Sequence, residues 1–165
     1  MQPSEALGIA AQVAVTLAGF AGVVVVFRPE SVHQWSPLDR FRLHLLLANS
    51  ALPLVSSLFG IWLLAIDPAP EAIWRWCSGF ALLLQVPFIL STSARGRRIP
   101  RADQAPVNKP LYYSLALLGT VALVLQVINV VAWNRFWPFF FIIFVSLGAA
   151  VAQFVRFVIL PPHTE

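Results

Sequence analysis

Five stretches of this chain are almost wholly apolar: residues 6–27, 43–66, 72–90, 111–133 and 137–160. Each is 19 to 24 residues long, and about 20 helical residues cross the ~30 Å hydrocarbon core of a bilayer. Lipid offers no partner to a backbone amide, so runs of this length are expected to be helices. A transmembrane barrel would show shorter segments of alternating polarity. The run Val121-Ala122-Leu123-Val124-Leu125 has no such alternation. The pattern predicts an all-α fold, a polytopic transmembrane helix bundle of five spans forming one domain over residues 1–165.

The polar segments between the runs predict how the chain is threaded. Residues 67–71 and Asn134-Arg135-Phe136 are short enough to force antiparallel hairpins. Residues 91–110, rich in Arg, Pro and Ser, read as a flexible basic loop. Lys and Arg stay on the cytoplasmic side of a membrane. Arg28, Arg40, Arg42, Arg95, Arg97, Arg98, Arg101, Lys109 and Arg156 fall on one side, and only Arg75 and Arg135 on the other. Five spans therefore place the N-terminus outside and the C-terminus in the cytoplasm; four or six would break the split. The leader before the first run has no basic residue, and the run exceeds a typical signal-peptide core, so it is expected to persist as a span.

The aromatic residues agree with this threading. Trp62, Trp74, Trp76, Trp133 and Trp137 fall at the predicted outer ends, and Trp35, Tyr112 and Tyr113 at the inner ends. Amphipathic rings prefer the headgroup layer.

Composition narrows the class further. Of 165 residues, 59% are hydrophobic and 11% charged, with a mean hydropathy of +0.78, against about 25% charged in soluble domains. An ordinary soluble domain, a disordered chain and a disulfide-rich module are excluded. The single Cys77 makes no internal bridge, and with His33, His44 and His163 it forms no zinc or haem spacing. No metal and no cofactor are expected. The net charge of +4 is concentrated in the basic loop, which is tethered at both ends and lacks interleaved aromatics for base stacking. The expected partner is the lipid bilayer itself, with anionic headgroups meeting Arg95, Arg97, Arg98, Arg101 and Lys109 at roughly 1 kcal/mol per basic residue, and not nucleic acid.

Candidate chemistry inside the spans is sparse. They contain no carboxylate, which argues against a proton-coupled exporter. Six amides lie within them: Asn49, Gln85 and Gln153 in the predicted inner half, and Gln12, Gln126 and Asn129 in the outer half. They read either as interhelical hydrogen bonds of about 0.6–2 kcal/mol each or as a polar path for a solute; the first is favoured. His44 would need a nucleophile or an orienting carboxylate to act as a base, and Ser50 lies roughly 240° away around the helix. Gly8, Ala11, Ala14, Ala18 and Gly22 form a stripe of small residues on the first run, and Gly148 and Ala152 a shorter one on the last. Such faces serve helix packing, within the bundle or against a second copy. Pro53 should kink or loosen the second helix.

The segment Thr16-Leu17-Ala18-Gly19-Phe20-Ala21-Gly22-Val23-Val24, with Trp35-Ser36-Pro37 and Asp39-Arg40 after it, resembles the first span of small bacterial multi-pass membrane proteins. The resemblance implies a protein of the bacterial inner membrane, and brings no activity and no site residues. The function expected from the residues is that of a non-catalytic membrane protein acting by assembly, as a self-associating pore or an accessory subunit, with a homo-oligomer as its partner state. The competing readings are an uncoupled transporter or channel lined by the Asn and Gln layers of one protomer, and a small membrane enzyme using His44 with a serine or Cys77.

Overall fold

In the computed structural model, residues 1–27, 35–66, 71–97 and 109–159 are described, and all of their regular structure is helical. The helices are α1 (Pro3–Phe27), α2 (Pro37–Leu64), α3 (Ile73–Gly96), α4 (Lys109–Ile128) and α5 (Phe136–Ile159). A π-helical turn, Asn129–Trp133, prolongs α4. All five helices are long and apolar enough to cross a membrane.

Local chemistry explains where two of them begin and end. The helix α2 starts six residues before the apolar run because Ser36 caps it: its hydroxyl accepts the Asp39 amide at 3.1 Å, and Pro37 occupies the first turn, where its missing N–H costs nothing. Asp39-Arg40-Phe41-Arg42, expected as connector, is therefore helical. Arg42 meets the Asp39 carboxylate at 3.5 Å, and both are buried. The helix α3 outlasts its run through Gly96, so the first residues of the expected basic loop are helical as well. There the Ser91 and Thr92 hydroxyls bond back to the Phe88 carbonyl, and Arg95 in the last turn complements the helix dipole.

The hub of the bundle is α5, which packs against all four other helices, and α2 lies beside it, between α1 and α3. Two apolar clusters divide the interior lengthwise. One joins the first turns of α1 and α5 to the end of α2 and the start of α3, through Leu7, Phe139, Leu63 and Ile73. The other joins Leu17 and Ala21 to Leu43, Leu46 and Ala150. Successive helices thus run antiparallel, and the start of α1 and the end of α5 lie at opposite ends. We call these the tryptophan end (Trp62, Trp74, Trp76, Trp133, Trp137) and the arginine end (Arg95, Arg97, Arg156). Trp35, expected in an interfacial belt, is buried in the second cluster instead, 3% exposed.

The outside of the bundle is apolar. At most 33% of the most apolar window of any span is buried inside. Leu83, Leu117, Val131 and Phe144 are each more than 60% exposed. Least covered is α4: from Tyr112 to Val121 none of its residues is buried, and it joins the bundle through Ala122, Gln126 and Asn129. These three are spaced four and three apart and so share one helix face.

Candidate functional site

Polar chemistry gathers at the tryptophan end, where the α4–α5 turn meets the start of α3. On regular α-helical geometry Asn129 and Asn134 would point roughly 140° apart. The wider π turn, closed by the Asn134 amide on the Asn129 carbonyl at 3.2 Å, brings both asparagines toward α3. Asn134 then takes a left-handed conformation (φ 50°, ψ 50°), which asparagine tolerates better than most residues.

Each asparagine has a separate task. Asn129 is fully buried. Its Nδ2 donates to Ser78 Oγ at 2.7 Å and to the Arg135 carbonyl at 3.0 Å, with a longer contact to the Trp74 carbonyl at 3.3 Å; its Oδ1 accepts the Arg135 amide at 2.8 Å. Asn134 caps α3 from a different part of the chain. Ala72, at the head of that helix, has no side-chain oxygen to offer. Asn134 Oδ1 takes the Trp74 and Arg75 amides at 3.1 and 3.2 Å instead, while Nδ2 donates to the Glu71 carbonyl at 2.8 Å. The orphan Trp74 amide at the helix start is thereby satisfied, while the Arg75 amide is shared with the Ala72 carbonyl at 3.0 Å. The Trp74 and Phe136 rings meet at a tilt over the same junction, their centroids 4.8 Å apart.

The other amides follow the same logic less completely. Gln126, fully buried, donates to the Pro138 carbonyl on α5, while its Oε1 meets no donor among the described residues. Gln85 donates to Ser146 Oγ at 3.0 Å, tying α3 to α5 near mid-bundle. Among the described residues Asn49 bonds only to the carbonyl of Leu45 on its own helix. The Gln12 side chain is exposed and Gln153 is half-buried. The two expected layers are therefore not brought together as layers. Among the described residues Gln85, Gln126 and Asn129 join helices, whereas Asn49, Gln12 and Gln153 join none.

The small residues are also divided. The face of α1 turned inward carries Leu7, Ala10, Ala14, Leu17 and Ala21. Of the predicted stripe only Ala14 is buried; Gly8, Ala11 and Ala18 are half-buried and Gly22 is exposed. A Cβ added at Gly8, Gly22 or Gly148 would meet nothing within 4 Å, and Ala152 beside Gly148 is half-buried. The close approach lies on α2, where Leu46, Ser50, Pro53, Ser57 and Gly60 form a continuous buried face. A Cβ on Gly60 would stand 2.8 Å from Leu7 Cδ1 and 3.3 Å from Phe139 Cε1. Sequence reasoning passed over Gly60, Ser78, Ser146 and Asn134. For Asn134 a signal was present, since asparagine after a helix end is a common left-handed cap.

At the arginine end Arg95 Nη1 contacts His44 Nε2 at 3.1 Å, and the Phe88 ring lies 6.4 Å from the imidazole. Ser50 Oγ donates to the Leu46 carbonyl, and Cys77 is buried in the opposite cluster. Among the described residues His44 thus has neither a nucleophile nor an orienting carboxylate as partner. No three His, Cys, Asp or Glu among them gather closely enough to hold a metal ion. Arg97 is exposed, Lys109 opens α4, and Arg98 and Arg101 lie outside the described residues.

Among the described residues, fold and site together define an all-helical protein with five helices long and apolar enough to span a membrane, whose buried amides join helices at the tryptophan end and mid-bundle. No protein-family model, curated protein or solved structure matches it.

Proposed function

We propose that this chain is an integral multi-pass protein of the bacterial inner membrane, N-terminus outside and C-terminus cytoplasmic, that acts by assembly as a self-associating pore or an accessory membrane subunit. Membrane insertion is supported by a common spacing between anchors. Trp62 follows His44 by 18 residues, Arg95 follows Trp76 by 19, Trp133 follows Tyr113 by 20, and Arg156 follows Trp137 by 19. At 1.5 Å per residue these spacings are about 27–30 Å, one hydrocarbon thickness. The apolar exterior and the arginine bias support the same reading. The bacterial inner membrane rests on the resemblance carried by the first helix.

The observation that favours assembly over a path through one protomer is the use of the buried amides. Gln85, Gln126 and Asn129 are bonded across helices, so their polarity serves packing within the protomer. What remains open is the small-residue edge of α1 and the uncovered half of α4, surfaces a second copy could meet closely. A wide path would form between copies.

The double substitution Ala11→Leu/Ala18→Leu places bulk on that edge while leaving the inward face of α1 unaltered. It should shift the native mass spectrum of gently extracted protein from oligomer to monomer. An unchanged spectrum removes the α1 edge as the contact, and a monomeric wild type removes the assembly reading.

A further inference from the structure

Where α2 and α3 meet at the arginine end, an arginine is held by a histidine in place of a carboxylate. Arg95 is always cationic and can only donate. Its 3.1 Å contact therefore requires the lone pair of His44 Nε2, and the imidazole steadies the guanidinium without cancelling its charge. Phe88 backs the ring. Of five guanidinium N–H donors one faces His44, and the side chain is exposed. Among the described residues no carboxylate meets Arg95. The acid in the first turn of α2, Asp39, is bonded to Arg42. Arg40 stands one turn ahead of His44 on the same face of α2, exposed and nearer the helix start.

We propose that Arg95, positioned by His44, is a site for a phosphate group, with Arg40, one helical turn before His44 on α2, as a second cation. A guanidinium fork matches two phosphate oxygens at once, which an isolated surface charge does not. The proposal rests on the membrane reading above. On that reading Arg95 and His44 each lie about 27–29 Å from a tryptophan of the opposite belt, at headgroup depth. The ligand this depth favours is the phosphate of an anionic phospholipid.

The test uses the full chain, purified in detergent and examined by native mass spectrometry with dioleoyl phosphatidylglycerol, dioleoyl phosphatidylcholine or inorganic phosphate added. The wild type should retain phosphatidylglycerol over phosphatidylcholine. Arg95→Gln should weaken that retention about twentyfold or more, while Arg97→Gln, an equal loss of charge two residues on, should weaken it no more than about fivefold, the loss that surface charge alone brings. Arg95→Lys, which keeps the charge and loses the fork, should fall between them and guards against misfolding as the cause. Displacement of the lipid by inorganic phosphate at similar concentration would support the phosphate site and make free phosphate its ligand. Equal losses in Arg95→Gln and Arg97→Gln would overturn the site as mere surface charge. An alkaline wash of vesicles carrying the protein separates the two failures: protein that stays in the vesicles without the Arg95 difference sinks the site alone, and protein that washes out sinks the spans with it.

Discussion

Asn129→Leu should lower the stability of the bundle by about 2–3 kcal/mol, because a buried donor left without its acceptor costs roughly 1–3 kcal/mol and interhelical bonds are lost as well. Leucine keeps the branched shape of asparagine and is somewhat larger, so no cavity is left and the loss comes from the unpaired polar groups with some overpacking. The Arg135 amide loses its acceptor, and the buried Ser78 hydroxyl loses the donor that ties it to α4. The substitution should therefore loosen α4, which has only Ala122 and Gln126 as other buried contacts. Unfolding in detergent, followed by tryptophan fluorescence, reads the effect; Gln12→Leu, on an exposed amide, is the control and should change little. A loss for Asn129→Leu no larger than for Gln12→Leu would remove the junction from its place in the fold.

Gly60→Leu should have the other large effect, about 3 kcal/mol or more, with Gly60→Ala costing roughly 1–2 kcal/mol. Overpacking is expected here because the side chains that would have to move, Leu7 and Phe139, are fully buried in the cluster joining α1, α2, α3 and α5. Even one methyl group meets Leu7 Cδ1 at 2.8 Å. Gly22→Ala provides the contrast, with open space around the added Cβ; alanine inside a helix should be neutral or gain up to about 1 kcal/mol. Both are measured by the same unfolding experiment, and a tolerated Gly60→Leu would show that α1 does not pack against α2 as described.

Those two expectations also mark what was legible in the sequence. The five helices were readable because length and continuous apolarity constrain a span strongly. Helix ends were less so. The Ser36-Pro37 cap extends α2 backward, and α3 runs on through Ser91–Gly96 to a last turn carrying Arg95, in segments whose charge read as loop. The amides could be recognised as glue, but not which of them bind. Periodicity relates a residue to its own helix, and it does not say that Gln85 meets Ser146 or that a π turn carries Asn129 to Ser78.

The packing faces were ambiguous for a different reason. A helix apolar all round has no polar side to turn outward, so the usual amphipathic signal is missing. On α1, glycine and alanine spread over more than half of the helix surface, and the face chosen by tertiary packing is Leu7-Ala10-Ala14-Leu17-Ala21, with the Gly8–Gly22 edge beside it left open. The contact that demands a small residue is made by α2, where serine and proline disguised the face leading to Gly60. Trp35 had the residue type of an interfacial anchor but sits where Leu17, Leu43 and Ala150 close around it.

The packing, the assembly and the phosphate site all presuppose five passes through lipid. Paired fusions at the two tails test this directly, one reporter active only outside the cytoplasm and one only within it. The outside reporter should be active at the N-terminus and silent at the C-terminus, with the inside reporter reversed; the same reporter active at both tails would contradict it.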